Sequence, residues 1–328
     1  MDFLLHGSTD PLFNMAFDEA CLQAPPAPQP FFYLWQNSPA VIIGLNQNAY
    51  SEVNLPWMQQ NGIVLARRVT GGGAVYHDLQ NLNYTIVGRL SDLEKDYPDY
   101  MHMVADALCS MGVRAELSGR NDIMVDGRKC SGYAKRVWRN RIMIHGTLMF
   151  DVNLQDMVQA LSAPGSKFSA AGVASVRSRV ANLKEYLPQF PDICAFRATL
   201  QERLAAGGQQ IPVPQSLIDR ANKEADGKFR TWEWNLGRSP KADFISDGKY
   251  ACGTIEARWS LSRGRLKSLS FGGDFLGNLP AEALAAALTG CRMEADALSE
   301  AMEKNGIEPS SCFDGLSCED FFKLLGIR

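Results

Sequence analysis

Residues 67–81 read RRVTGGGAVYHDLQN, and the rest of the chain is interpreted outward from them. Gly71, Gly72 and Gly73 follow the permanent charges of Arg67 and Arg68. Glycine costs backbone entropy on folding, so three in a row serve something that needs bare main chain. The neighbouring arginines indicate an anion, since guanidinium favours forked recognition of carboxylate or phosphate. No GxxxxGK[ST] string occurs, and a GxGxxG fingerprint fails because Tyr76 stands in its third glycine place. The residues after the glycines, AVYHD, favour a strand. A phosphate contact would therefore come from a loop between strands, where successive N–H groups form an anion-binding concavity without a helix. The alternative is a tight turn with solvated arginines. On a strand Arg67 and Arg68 face opposite sides, so one of them reaches into a pocket unless the backbone bulges.

Around this loop the pattern alternates between short strands and helices. FFYLW (31–35), AVIIG (40–44), IVLARRV (63–69), AVYHD (74–78) and NYTIVG (83–88) are β-branched or aromatic runs. Helices are predicted over NMAFDEACLQ (14–23), which ends before the proline segment APPAPQP, and over 99–112, whose apolar residues recur at three and four spacing. Asp126-Gly127 between DIMV and RKCSGYAKRV is a hairpin signal, and WRNR (138–141) turns into the strand IMIHGTLMFDV. A short helix is expected over 154–162. Residues 163–181 are small, polar and glycine-containing, the pattern of a long loop acting as a lid. The stretch 228–245 has the composition of a domain junction. Beyond it a strand pair turning at Ser262-Arg263-Gly264 precedes three helical runs, a small α+β unit.

The second constellation is the hairpin region. From Arg120 to Arg141 there are seven basic residues against two aspartates. Such a run is ordinarily a solvated face. Lys129 differs, because it follows the Asp-Gly turn and precedes Ser131-Gly132, where little bulk screens it. An ammonium there can hold a transferring phosphoryl group as a point charge. Cys130 is its rival as a thioester-forming nucleophile. Strand neighbours face opposite ways, so a pocket-facing Lys129 sends Cys130 into the layer behind. His77 and His145 lie in strand-like runs, where a packed histidine is the commoner case; Gly146 after His145 permits a close approach in mid-strand.

The 328 residues carry a net charge of −3, which argues against a general nucleic-acid binder, and no apolar run reaches bilayer length. Eight scattered cysteines with no CxxC pair suggest reduced thiols in a cytoplasmic protein, and the start of the chain lacks the pattern of a secretory signal.

RRVTGGGAVYHDLQNLNYT (67–85), GRNDIMVDGRKCSGYAKR (119–136), HGTLMFD (145–151), SVRSRVANL (175–183) and WEWNLG (232–237), in that order, resemble the lipoate–protein ligase A family. The resemblance implies an α+β fold: a catalytic domain over 1–240 with a mixed β-sheet flanked by helices, biotin/lipoyl ligase-like, and a small C-terminal accessory domain over 241–328. The implied activity is ATP-dependent. Lipoate and ATP give lipoyl-adenylate, and the lipoyl group passes to a lysine of an acceptor domain, on 2-oxoacid dehydrogenase E2 subunits or glycine cleavage H protein, with octanoate as a further possible acyl substrate and Mg²⁺ as cofactor. By position, Lys129 is the implied catalytic residue, contacting both lipoate and ATP. Arg68, Gly73, Ala74, Val75 and Tyr76, with Asn83 and Asp122, match ATP-contacting positions, Asp122 also being the candidate Mg²⁺ ligand. Arg67, Gly71, Gly72 and His145 match the lipoyl pocket, and Ser175, Arg177 and Arg179 the closing loop. Two positions depart from the pattern: Gln80 replaces a usual glycine, and Tyr133 replaces a small residue. Two other readings stand beside the ligase: an ATP-independent octanoyl or lipoyl transferase acting through Cys130, and a lipoyl-AMP binding protein without transfer. The basic hairpin, Lys135 and Arg136 in particular, is expected to steer acidic acceptor domains.

Overall fold

The computed structural model describes residues 1–24, 30–118, 121–161, 176–239, 242–273, 275 and 278–327; within these, the side chains of 91–99, 101 and 242 are not described. The chain divides into two compact units. The first comprises Met1–Leu45, Gly62–Leu161 and, of the later residues described, 176–231; the second comprises Asn46–Asn61 and 232–327.

In the first unit the strands are β1 (Asp2–Leu5), β2 (Phe31–Trp35), β3 (Ala40–Ile43), β4 (Val64–Arg67), β5 (Val75–His77), β6 (Asn81–Arg89), β7 (Ala115–Ser118), β8 (Asp122–Val125), β9 (Arg128–Trp138) and β10 (Arg141–Met149). Seven of them form one sheet in the order β1-β2-β6-β10-β9-β8-β7. β1 runs parallel to β2 and the other pairs are antiparallel, so the sheet is mixed as expected. β4, β3 and β5 form a separate three-stranded sheet, in which β3 is parallel to β4 and antiparallel to β5. The glycine run is the connection from β4 to β5, a loop between strands and not the start of a helix.

Local chemistry accounts for the elements. Helix α1 (Pro11–Gln23) starts three residues earlier than predicted because Asp10 caps it, its Oδ1 accepting from the N–H groups of Leu12 and Phe13, with proline in the first turn. α1 is buried from Asn14 to Leu22, polar Asn14, Asp18 and Glu19 included, and touches strands of both sheets. Helix α2 (Leu90–Ser110) extends the predicted 99–112 helix toward its N-terminus. Asp126 and Gly127 both take positive φ (50° and 72°), the hairpin geometry their sequence predicts. α3 (Leu154–Ala160) is capped by Asn153. Helices α4 (Ile193–Ala205) and α5 (Gln215–Glu224) fall where no element was predicted. α4 and the C-terminal half of α2 carry apolar residues into the core shared with β6, β8, β9 and β10. Gln80 does not adopt a positive φ. Its N–H donates to Asp78 Oδ1 and its carbonyl accepts from Phe150 and Asp151, so this turn is built without the glycine.

The second unit contains an antiparallel sheet of β11 (Ala242–Tyr250), β12 (Gly253–Ser262) and β13 (Arg265–Gly273), with helices α6 (Ala281–Leu288), α7 (Ala295–Asn305) and α8 (Cys318–Leu324). The strand pair and the helices match the prediction. β11 does not: its sequence was assigned to the junction, and residues 46–61, which belong to this unit, lie far away in the chain. No helix among the described residues is long and apolar enough to cross a membrane.

Gly44, just after β3, explains how the glycine loop lies against the small sheet. A Cβ there would fall 2.1 Å from the carbonyl oxygen of Gly72, and neither main chain can give. Gly44→Ala is expected to destabilise the protein by about 1–3 kcal/mol, read as a shift in the denaturant midpoint.

Candidate functional site

The glycine loop, β5, β9 and β10 enclose a cavity of about 140 Å³ in the first unit, roughly tenfold the space one water needs. Its wall includes Arg68, Gly72 through Val75, Asn83, Lys129 and His145, which the sequence singled out, and Trp35, Met15 and His77, which it did not assign to a site.

Arg68 is buried beneath the loop. Its Nη1 donates to the Ile42 carbonyl at 2.9 Å, its Nη2 to Gly71 and Gly73 at 2.7 and 2.8 Å, and its Nε to Thr70 Oγ1 at 3.0 Å. Because a peptide unit is planar and trans, carbonyls of Gly71 and Gly73 turned toward the guanidinium turn the N–H groups of Gly72 and Ala74 away from it. Gly72 makes the turn with φ of +92°. The result is a pair of N–H donors turned away from the guanidinium on a loop whose Gly72 to Val75 line the cavity, an arrangement compatible with an anion-binding concavity. Burial pushes the Arg68 guanidinium down to about 10, which leaves it charged at neutral pH.

Lys129 reaches the cavity because the strand is irregular. Ile123 pairs with Ser131 but Met124 pairs with Lys129, so Cys130 is the extra residue of a β-bulge. The bulge brings Lys129 and Gly132 to the same wall. A Cβ at Gly132 would lie 2.9 Å from Lys129 Nζ, so the missing side chain is the space that the ammonium occupies. Lys129 Nζ pairs with Asp122 Oδ1 at 2.7 Å, with the two side chains 40% and 32% exposed. A pair this exposed is worth ~0–1 kcal/mol, so an arriving anion can displace it. The Lys129 N–H donates to Arg179 O at 2.8 Å, and its carbonyl accepts from Ala181 N at 2.9 Å. The end of the expected lid is thus paired to the main chain of this lysine.

Cys130 faces the other way, fully buried in the core, its thiol donating to the Ile123 carbonyl at 3.4 Å. Burial pushes the thiol up to about 12. A thiolate nucleophile at this position is therefore ruled out, for lack of both access and charge.

His145 is held at both nitrogens. Nδ1 lies 2.7 Å from Asp18 Oδ2 and Nε2 lies 2.8 Å from Thr70 Oγ1. The Asp18 carboxylate accepts from Nδ1–H, so in the neutral tautomer Nε2 accepts from the Thr70 hydroxyl, which also accepts from Arg68. Asp18 also accepts from the hydroxyls of Tyr33 and Thr85. Asp18 and Thr70 escaped the sequence reading. The available signal was a carboxylate inside the apolar run NMAFDEA, since a buried acid needs partners. Gly146 makes room for the Tyr84 ring rather than for a ligand's approach to the backbone: a Cβ there would meet the Tyr84 hydroxyl at 2.3 Å.

Other predicted residues lie elsewhere. Arg67 is fully buried and outside the cavity wall, its Nη1 donating to the carbonyls of Gly44 and Leu45 at 3.0 and 3.2 Å. Gly71 and Tyr76 are also outside that wall, Tyr76 pairing with Val41 in the small sheet. Asp122 stands behind Lys129, and Tyr133 is in the wall, where its bulk narrows the space. Arg177 and Arg179 are exposed; Ser175 and the rest of 162–175 lie outside the described residues. Arg136 is not a free steering charge: its Nη1 donates to the Val69 carbonyl, at the root of the glycine loop.

Residues 10–205 match the lipoyl protein ligase A/B catalytic domain, and residues 239–325 the bacterial lipoate protein ligase C-terminus. The chain is 35% identical over 322 residues to the lipoate–protein ligase LplJ of Bacillus subtilis, covering 96% of this chain and 97% of the relative. Among solved structures, the bipartite lipoate protein ligase of Thermoplasma acidophilum, studied with its E2 lipoyl domain, superposes with a TM-score of 0.66 at 28% identity, covering 72% of this chain and 96% of that one. The same organism's ligase is known with bound lipoic acid, at a TM-score of 0.62 and 26% identity, covering 72% of this chain and 98% of that one. A lipoate–protein ligase A bound with ATP gives 0.64 at 28% identity, covering 72% and 98%.

Gly132→Ala tests the placement of Lys129. The new methyl group displaces the flexible end of the lysine and not the strand. Turnover is expected to fall about 10²-fold with thermal stability nearly unchanged, measured by steady-state kinetics beside a melting curve.

Proposed function

We propose the following reaction from one premise: this chain belongs to the lipoate–protein ligase family and is a ligase enzyme. A lipoate carboxylate oxygen attacks the α-phosphorus of ATP, pyrophosphate leaves, and lipoyl-adenylate forms. An acceptor lysine amine then attacks the acyl carbon, AMP leaves, and the amine loses its proton as the amide forms. The observation that carries this reading is the Lys129 ammonium in the same cavity wall as the outward-turned N–H groups of the glycine loop. Two anions that repel each other have to meet there. A cation between them offsets the repulsion and stabilises the charge that grows on the phosphoryl oxygens.

The roles follow from the geometry. Lys129 exchanges Asp122 for the reacting anions. The N–H groups of Gly72 and Ala74 hold phosphate oxygens, with Gly73, Val75 and Asn83 completing that wall. Arg68 adds charge from below the loop instead of gripping the nucleotide with its fork, because the loop's own carbonyls occupy that fork. Arg67 supports the lipoyl pocket from behind, and His145 lines it. Residues 176–181, tied to the main chain of Lys129, help cover the adenylate, which needs protection from water. The second unit serves as the accessory domain. The residues do not fit a Mg²⁺ held by the protein alone: among those described no group of three His, Cys, Asp or Glu could hold a metal. No step is derived through a metal.

The acceptors are lipoyl domains of E2 subunits and glycine cleavage H protein. The steering charges are those the hairpin exposes, Lys135 and Arg139. Mass spectrometry of a lipoyl domain incubated with this protein, lipoate, Mg²⁺ and ATP tests the whole reading: the expected product carries one lipoyl group on a lysine. Lys129→Ala should lower pyrophosphate release by roughly 10²–10³-fold, while Cys130→Ala keeps it; near-normal adenylation by the lysine variant would sink the mechanism. Charge reversal at Lys135 and Arg139 should slow transfer and spare pyrophosphate release, and equal loss of both steps would remove the steering role.

A further inference from the structure

His77 belongs to the opening motif, yet the mechanism above does not use it. It is 3% exposed, stands in the cavity wall, and its Nε2 has no hydrogen-bond partner among the described residues. The other ring nitrogen ends a chain of hydrogen bonds whose directions can be assigned. The Asn14 amide nitrogen faces the carbonyls of Ser8 and Gln36 at 3.1 and 3.0 Å, which can only accept. It therefore donates also to Asn37 Oδ1 at 2.8 Å, and His6 Nε2 donates to Asn14 Oδ1 at 2.7 Å. With its oxygen engaged, Asn37 presents its NH₂ to His77 Nδ1 at 3.0 Å. Nδ1 is thus the acceptor, and the proton of the neutral ring sits on Nε2. Burial first, then the nearby Arg68 and His145, pushes the His77 imidazole down to about 3, so the ring stays neutral throughout the working range.

A buried donor without a partner costs ~1–3 kcal/mol, and such a group in a cavity wall points to a ligand atom. Its place along the strand indicates which atom. His77 is two residues beyond Val75, on the same face of β5 and about 7 Å farther from the glycine loop. Its ring stands edge-on to Trp35, with centroids 6.1 Å apart. The ring therefore stands in the wall at the end of the cavity farther from the glycine loop, where an acyl tail would lie if the phosphates sit at the loop. The tail of lipoate carries one kind of acceptor, the two dithiolane sulfurs; octanoate has none.

We propose that the Nε2–H of His77 donates to the dithiolane of bound lipoate, which makes His77 a specificity-determining residue favouring lipoate over a plain alkyl acid. This rests on the ligase reading. With octanoate in place the donor is covered by CH₂ groups and left unsatisfied, so selectivity comes from penalising the wrong acid as much as from binding the right one.

Selective ¹⁵N labelling of the four histidines gives a test that needs no variant. In the free protein, His77 should show a protonated Nε2 and an unprotonated Nδ1, unchanged between pH 5 and 9. Added lipoate should shift Nε2 and added octanoate should not. In kinetics, His77→Phe should raise the KM for lipoate roughly three- to tenfold and leave that for octanoate unchanged or lower, with kcat conserved. His77→Gln, whose amide can donate from a similar place, should restore part of the difference. An Nε2 signal indifferent to lipoate while calorimetry records binding overturns the proposal, as does an equal rise in both KM values. Failure of lipoate to bind at all overturns the ligase reading instead.

Discussion

The contact on which the site depends is the burial of one guanidinium under three glycines. Arg68 takes the carbonyls of Ile42, Gly71 and Gly73, and in doing so it determines which way the peptide units of the loop face. A flexible loop would turn its carbonyls and N–H groups indifferently toward solvent. A cation below it draws the oxygens inward, and planarity turns the intervening N–H groups away from the guanidinium. The same cation then faces the anions those groups would hold. Gly44 belongs to the same constraint, because the loop lies against the small sheet only where that position has no side chain.

The second requirement is that a flexible lysine be held in a definite place. Here the strand does it. One extra residue at Cys130 brings Lys129 and Gly132 to a common wall, and Gly132 leaves room for the ammonium. The main chain of Lys129 is tied to Arg179 and Ala181, so the lysine backbone is fixed by residues far along the chain. The bulge also sends the thiol of Cys130 into the core, which separates the two chemistries that the sequence KC left side by side. An adenylate-forming enzyme and a thioester-forming one would need opposite assignments of that pair.

The polar groups around His145 follow the rule that a buried polar atom has a partner. Asp18, Thr70, Thr85 and Tyr33 satisfy one another and His145. His77 is set apart, among the described residues, by a ring nitrogen without a partner in a residue of the cavity wall.

The local signals that the sequence carries survived folding: the glycine loop between strands, the Asp-Gly hairpin, strands β2 to β6 and β8 to β10, and the opposite facing of Lys129 and Cys130. Each depends on interactions within a few residues or on strand alternation, so proximity in the chain suffices to read it. What stayed hidden came from residues far apart in the chain. Asp18 is 127 positions from the histidine it holds, Arg67 donates to the carbonyls of Gly44 and Leu45, Arg136 donates to that of Val69, and the start of β11 reads as a junction until its partner strand is beside it. The sequence alone determined which residue types are available for the chemistry. Tertiary packing decided which of them face the cavity, because burial requires each charge and each N–H to find a partner, and those partners come from other elements.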